Sequence, residues 1–104
     1  MKKDSVYIEQ IHEAIAKIHN FVGTMSKEDF LKDQKTQSAI IMQLALIGEL
    51  SKKISEDTKK SIDLPWRDIV GFRDRAIHDY YQIDLEIVWN TIKSDLALLE
   101  ERLK

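Results

Sequence analysis

The stretch KTQSAIIMQLALIGELSKKI, residues 35–54, decides the fold. Its apolar residues recur at three- and four-residue spacings, which predicts a helix from about Lys35 to Ile54. Four of them form one face and four more point elsewhere: Ile40, Leu44, Ile47 and Ile54 against Ile41, Met42, Ala45 and Leu46. A helix with so wide an apolar surface is covered on more than one side. We expect it at the centre of a bundle, and a partner chain would explain the surplus apolar surface.

Upstream of this stretch, the sequence predicts one long helix and one short turn. From Val6 to Val22 a single apolar stripe recurs at helical spacing, and the helix should end near Gly23. Ser26 followed by Asp29 resembles a capping box, which predicts a short helical turn through Leu31.

Downstream, two further helices are predicted. Residues 55–63 are polar and aperiodic, which favours a loop, and Pro65 stands where the first residue of the next helix should be. After Gln82 a last helix begins, capped by Asp84. Its apolar stripe is Leu85, Val88, Trp89, Ile92, Leu96, Leu99 and Leu103. The predicted architecture is an all-α, up-and-down bundle of four long helices plus a short helical turn, one domain over residues 1–104.

Composition narrows the class of protein. With 43% hydrophobic and 33% charged residues and a net charge of −2, the chain reads as a soluble protein that does not coat nucleic acid through its phosphates. The absence of cysteine favours a reducing compartment. Residues 1–5 are followed by no apolar segment of a signal peptide, and residues 39–50 are too short to span a bilayer. We therefore expect a cytoplasmic protein without a membrane segment, and so short a chain with surplus apolar surface favours a homodimer.

The helix predicted over residues 65–81, PWRDIVGFRDRAIHDYY, carries the candidate chemistry. On an ideal helix Arg73 falls inside the apolar arc, where a guanidinium needs either a carboxylate partner or a ligand phosphate. From the residues alone, the ion pair is the better expectation. Its candidate partners are Glu49, Asp74 and Asp79.

His78 and Tyr80 follow Arg73 at different angles. His78 is about 140° around the ideal helix from Arg73, so one straight helix would not aim both at one phosphate. Either the helix distorts between Ile77 and Tyr80, or Arg73 and His78 of two chains converge across a two-fold axis. Tyr80 returns to the side of Arg73. By themselves, a surface histidine is most often solvated and a tyrosine at a helix end is ordinary packing.

No metal site is predicted. His12 and His19 share one side of the first helix but are about 10.5 Å apart along it, too far to bind one zinc ion. Both flank the apolar stripe and should mark its solvent edge. The chain also lacks a P-loop and a dinucleotide-binding fingerprint.

The residues from Arg73 to Tyr80 match the R-x-x-x-x-H-x-Y signature of the HEPN superfamily, specifically its HepT-like ribonuclease toxins. The likeness extends to residues 47–49 (Ile-Gly-Glu), to Pro65-Trp66, and to residues 80–89, at similar spacing. It thus covers nearly the whole chain. In one departure, many members have Asn directly after the arginine, whereas Asp74 here adds negative charge where an RNA phosphate would approach.

The resemblance implies the toxin of a type VII-like toxin-antitoxin system. Such a toxin is a metal-independent endoribonuclease that dimerises so that two motifs build one cleft, with Arg73 and His78 as catalytic residues. The implied partner is a minimal nucleotidyltransferase antitoxin, which uses ATP and magnesium to transfer AMP to Tyr80. This chain itself would need no cofactor. The alternative is a non-catalytic HEPN module that binds a nucleotide or docks the nucleotidyltransferase, which the acidic net charge and Asp74 favour.

Overall fold

The long helices are arranged around the middle one. A computed structural model describes residues 2–104; Met1 of the predicted 1–104 domain lies outside this range. The described helices are α1 (Lys2–Val22), α2 (Lys27–Lys32), α3 (Gln34–Lys53), α4 (Glu56–Ser61), α5 (Trp66–His78), α6 (Leu85–Asn90) and α7 (Leu96–Arg102). A 3₁₀ turn (Tyr80–Gln82) follows α5, and a π turn (Thr91–Asp95) joins α6 to α7 into one continuous rod. The predicted all-α architecture with four long helical segments is confirmed.

Helix α3 lies between α1 and α5, packing extensively against both. The predicted stripe of α1 is buried from Ile11 to Val22, and it meets the predicted face of α3, whose members are all buried: Ile40, Leu44, Ile47 and Ile54. The capping box of α2 is present as predicted, with Ser26 accepting from the Asp29 amide.

The second apolar side of α3 is only partly explained within the chain. Ile41 and Ala45 are buried, so no partner chain is needed for them. Met42 and Leu46 remain 64% and 40% exposed. The chain therefore leaves less apolar surface of α3 uncovered than the sequence predicted, and the uncovered part is that of Met42 and Leu46.

The segment predicted as a loop contains a helix. Residues 56–61 form α4, with Ser55 as its N-cap, so the prediction of a loop over residues 55–63 was wrong. No residue of α4 is buried, which explains why the sequence shows no periodicity there. Residues outside the helix stabilise it instead: the Trp66 indole donates to the carbonyls of Lys59 and Ile62 at its C-terminal end.

The N-terminal end of α4 is anchored by Asp4 of α1. The Asp4 carboxylate accepts from the Ser55 amide at 3.0 Å and from the hydroxyls of Ser55 and Thr58 at 2.6 Å each. These hydrogen bonds lower the pKa of Asp4 from 3.8 to about 2, and the one from the Ser55 hydroxyl contributes most. α1 also begins earlier than predicted, at Lys2 rather than Val6, and so carries Asp4 to this contact.

We predict that Asp4→Asn lowers the melting temperature at neutral pH. Because the folded-state pKa is depressed, the ionised carboxylate stabilises the fold above about pH 4, and this contribution is lost as the pH falls towards 2. Melting curves at pH 7 and at stepwise lower pH would test it. The difference between the two proteins should shrink below pH 4; a difference that stays constant down to pH 2 would contradict the assignment.

The last helical rod keeps its predicted stripe buried by widening one turn. Val88, Ile92 and Leu96 follow at four-residue steps, which would drift around a regular α-helix. The π turn closes with the Leu96 amide donating to the Thr91 carbonyl, five residues back, and all three side chains are buried. Asp84 caps the start of the rod as predicted, accepting from the amides of Glu86 and Ile87.

None of the helices within residues 2–104 combines the length and the hydropathy that a membrane span requires.

Candidate active site

Helix α5 begins and ends differently from the prediction. Pro65 is its N-cap rather than its first residue, and the helix ends at His78 rather than Tyr81. Asp79 leaves helical geometry, with φ −135° and ψ 43°, and its amide donates to the Arg75 carbonyl. The distortion expected near the end of this helix therefore lies after His78.

Gly48 allows α5 to lie directly on α3. A Cβ added to Gly48 would stand 2.7 Å from the Ile69 carbonyl oxygen and 2.8 Å from the Arg73 Cβ, closer than van der Waals contact permits. The glycine thus sets the distance between the two helices at the level of Arg73. The next residue along α3, Glu49, then falls within reach of the Arg73 side chain.

Arg73 is flanked by two carboxylates. Its Nε lies 3.2 Å from Glu49 Oε1, an ion pair without the alignment of a hydrogen bond, and its Nη1 donates to Asp74 Oδ1 at 3.2 Å. The expected ion pair is present, with two of the three candidate partners; Asp79 is not one of them. The Arg73 side chain remains 32% exposed, so the guanidinium is held and still reachable by a ligand.

We predict that Gly48→Ala displaces α5. The clash is with backbone and with a Cβ, so relief requires the helix to move, at a cost of about 1–3 kcal/mol in stability. Thermal melting checks this, with Gly71→Ala as the matched control, because a Cβ at Gly71 meets only the Arg75 guanidinium at 3.8 Å. Equal melting temperatures for the two variants would show that the approach of the helices is not set by Gly48.

His78 is exposed at the last position of α5 and makes no hydrogen bond or ion pair among the described residues. Because the helix stays regular from Trp66 to His78, the angle of about 140° between Arg73 and His78 persists. By helix geometry the two residues therefore lie on different sides of α5. A distortion is present between Ile77 and Tyr80, as one of the two alternatives predicted, but it lies at Asp79 and so follows His78. Convergence of Arg73 and His78 from two chains stays a prediction.

Tyr80 reaches back to α3. Its hydroxyl shares a hydrogen bond of 2.8 Å with the Ser38 hydroxyl. Ser38 and Glu49 are eleven residues apart on α3, so they lie within about 20° of the same direction. Arg73 and Tyr80 are thus tied to one side of α3, although Tyr80 reaches it from the 3₁₀ turn rather than from a continued helix.

Apolar side chains surround these groups. Met42 and Leu46 lie on the same side of α3 as Ser38 and Glu49 by helix geometry, and Ile77 lies one turn beyond Arg73 on α5. Ile77 is 58% exposed. Because Met42, Leu46 and Ile77 are all solvent-exposed in the single chain, the motif is bordered by apolar surface without a partner among residues 2–104.

The two histidines of α1 contact the last helical rod. His12 Nε2 is 3.0 Å from the Leu103 carbonyl oxygen, and His19 Nε2 is 3.6 Å from a Glu100 carboxylate oxygen. Both therefore tie α1 to the C-terminal end of the chain.

Reasoning from the sequence missed Ser38 as a member of the site. No local motif marks this serine; only its contact with Tyr80, 42 residues later, identifies it. Its position on the Glu49 side of α3 could have been noticed on a helical wheel once that face was recognised.

Comparison with known proteins agrees with these observations. The profile of the ribonuclease HepT-like family matches residues 11–104. A Thermococcus cleftensis protein named "Probable ribonuclease HepT" is 43% identical over 95 residues, covering 90% of this chain and 86% of the relative. No solved structure gives a significant match.

Two further relatives bear names that assign them, provisionally, to the RNases. A Methanocaldococcus jannaschii protein is 38% identical over 109 residues, covering 99% of this chain and 90% of its own. A Caldanaerobacter subterraneus protein is 33% identical over 105 residues, covering 100% and 94%. The whole-length similarity, the helical bundle and the intact Arg73, His78 and Tyr80 agree, and the chain belongs to the ribonuclease HepT-like family of the HEPN superfamily.

Proposed function

We propose that this protein is an endoribonuclease toxin whose cleft is built by two copies of the chain. In this proposal the cleft requires no metal, and a partner nucleotidyltransferase silences it by transferring AMP from ATP to Tyr80. Membership of a ribonuclease family and the RNase names of the relatives support the reaction class. The toxin role and the partner rest on the resemblance of residues 73–80 to the family motif.

The divergence of Arg73 and His78 on one regular helix carries the proposal. Both residues are accessible to solvent, and by helix geometry they lie on different sides of α5. A two-fold axis beside α5 would place Arg73 of one chain near His78 of the partner. The exposed Met42, Leu46 and Ile77 provide apolar surface for such contact, since apolar side chains around a motif are stabilised by burial in an interface.

The cleavage follows from these groups. Attack of a ribose 2′-hydroxyl on the adjacent phosphorus forms a 2′,3′-cyclic phosphate and breaks the bond to the 5′-oxygen, which leaves as a hydroxyl. His78 can take the proton from the 2′-hydroxyl or donate one to the leaving oxygen, because histidine exchanges protons near neutral pH. Arg73 would bind the phosphate through its planar set of donors and stabilise the developing charge.

Mixed dimers test the composite cleft. Arg73→Ala and His78→Ala chains, each with its own affinity tag, are expected to be inactive alone. When doubly tagged dimers are isolated, one of their two cross-chain pairs is intact, so we expect RNA cleavage to return to a fraction of the wild-type rate. Light scattering gives the mass of each preparation. A monomer mass at micromolar concentration, or doubly tagged dimers that stay inactive, would overturn the shared cleft.

The second candidate is a non-catalytic module that binds a nucleotide or docks a nucleotidyltransferase. The observation that favours it is the pairing of Arg73 with both Glu49 and Asp74, which offsets the charge that a phosphate would meet. The product ends separate the two functions. A 2′,3′-cyclic phosphate that forms in EDTA and disappears in His78→Ala supports the nuclease, whereas nucleotide binding without any cleavage supports the module.

A further inference from the structure

A groove lies next to Tyr80, the last residue of the R-x-x-x-x-H-x-Y motif. It has a volume of about 370 Å³ and lies between the start of α3 and the segment after α5. Its lining is Gln34, Gln37, Ser38, Ile41, Tyr80, Tyr81, Ile83 and Leu85. Tyr80 belongs both to this groove and to the motif, so the groove lies next to the motif residues of α5.

Among the residues that the structure describes, none with a charged side chain lines the groove. Sites for phosphate or for a metal ion are usually built with charged side chains, and this lining has none. Its chemistry is instead aromatic, aliphatic and amide, which is the combination that recognises a flat, neutral, hydrogen-bonding ring.

Tyr81 supplies an open aromatic surface. The residue is 95% exposed, an unusual state for a large ring, and it lies 5.6 Å from the Tyr80 ring at an interplanar angle of 88°. Tyr80 is itself tied to Ser38, so the edge-to-face contact holds Tyr81 on a fixed neighbour. Any of the four nucleobases can stack on such a ring, so the contact does not depend on the RNA sequence.

Gln37 supplies a fixed polar group. This residue is more than nine-tenths buried, and its Nε2 donates to the Phe30 carbonyl at 2.9 Å. Its amide orientation is therefore set, and its Oε1 accepts no hydrogen bond from the described residues. An acceptor that has no donor within the chain favours a ligand that carries N–H groups, as the edges of nucleobases do.

We propose that this groove is a subsite for one nucleobase of a single-stranded RNA, with Tyr81 as its stacking platform and Gln37 as a polar contact. The inference rests on the proposed nuclease function, because it is the phosphate held by the motif that brings a neighbouring base to the groove. Tyr81 here binds substrate and takes no part in proton transfer.

Binding to an RNA that cannot be cleaved tests the subsite separately from the nuclease. The probe is a fluorescein-labelled 2′-O-methyl RNA twelve-mer of mixed sequence, and a second probe of the same length is abasic throughout. Stacking on an aromatic side chain is lost in Tyr81→Ala and kept in Tyr81→Phe. We expect the Kd of the first probe to rise at least about fivefold in Tyr81→Ala, to stay near wild type in Tyr81→Phe, and the Kd of the abasic probe to be equal in all three proteins.

Three results would overturn the subsite. They are an unchanged Kd in Tyr81→Ala, an equal loss on the abasic probe, and a lower oligomer mass of Tyr81→Ala in light scattering, which would make Tyr81 an interface residue. Because Tyr81 is almost fully exposed, its replacement should leave the melting temperature unchanged. If wild-type protein cleaves no RNA but the stacking-dependent difference appears, the subsite stands and the nuclease does not. If wild-type protein cleaves RNA but all variants bind the probe equally, the nuclease stands and the subsite does not.

Discussion

Replacing His78 with alanine should abolish RNA cleavage and growth inhibition while leaving the fold intact. General acid–base catalysis by a positioned side chain contributes about 10²- to 10⁴-fold, and we expect the loss in kcat/KM to fall in that range. The separation of activity from stability follows from the position of His78: it is exposed, at the last residue of α5, and without a hydrogen bond or ion pair among the described residues. Initial rates on a labelled RNA and a melting curve are the two measurements.

The controls use the other histidines and the arginine. His19→Ala should cleave like wild type, and His12→Ala should cleave normally but melt slightly earlier because it loses the contact with the Leu103 carbonyl. Arg73→Ala should also be inactive, but it leaves Glu49 without its cation, so its melting temperature must be compared before the loss is attributed to phosphate binding. A folded His78→Ala protein with undiminished cleavage, or wild-type cleavage abolished by EDTA, would refute the mechanism.

The fold was predictable wherever burial is periodic. The stripes of α1, α3 and the last rod were visible because each long helix buries one face, and the caps Ser26 and Asp84 follow from local hydrogen bonding. α4 was not predictable, because none of its six residues is apolar and its contacts are with Asp4 and Trp66, which lie outside it. The π turn was not predictable either, because the four-residue spacing that it accommodates is also compatible with a regular α-helix.

The candidate site was predictable as a set of residues and not as an arrangement. Arg73 in an apolar arc required a partner, and Glu49 was among the candidates; the choice of Glu49 over Asp79 depends on the close approach at Gly48. The contact of Tyr80 with Ser38 depends on the end of α5 at His78, a break that a helical pattern running to Tyr81 does not reveal.

Tyr80→Phe should remove the acceptor of AMP and leave the toxin permanently active, while Tyr81→Phe should still be modified. In the transfer, the Tyr80 oxygen attacks the α-phosphorus of ATP, pyrophosphate leaves, and the phenolic proton is released. The hydroxyl is held 2.8 Å from that of Ser38, so it lies beside α3 on the same side as the Arg73–Glu49 pair. A phosphodiester there would bring a negative charge and a nucleoside to the mouth of the groove, and both oppose the binding of RNA.

Intact-mass spectrometry after incubation with the partner nucleotidyltransferase, ATP and magnesium measures the adduct directly. Ser38→Ala is the matched control, because it removes the hydrogen bond but not the acceptor; it should still gain adenylyl mass, since the Tyr80 hydroxyl remains. Modified wild-type protein should lose RNA cleavage without a change in oligomer mass. Adducts that persist in Tyr80→Phe and vanish in Tyr81→Phe would move the acceptor by one residue. Wild-type protein that gains no mass yet is inhibited would leave complex formation as the means of control, because the modification would then have no part in it.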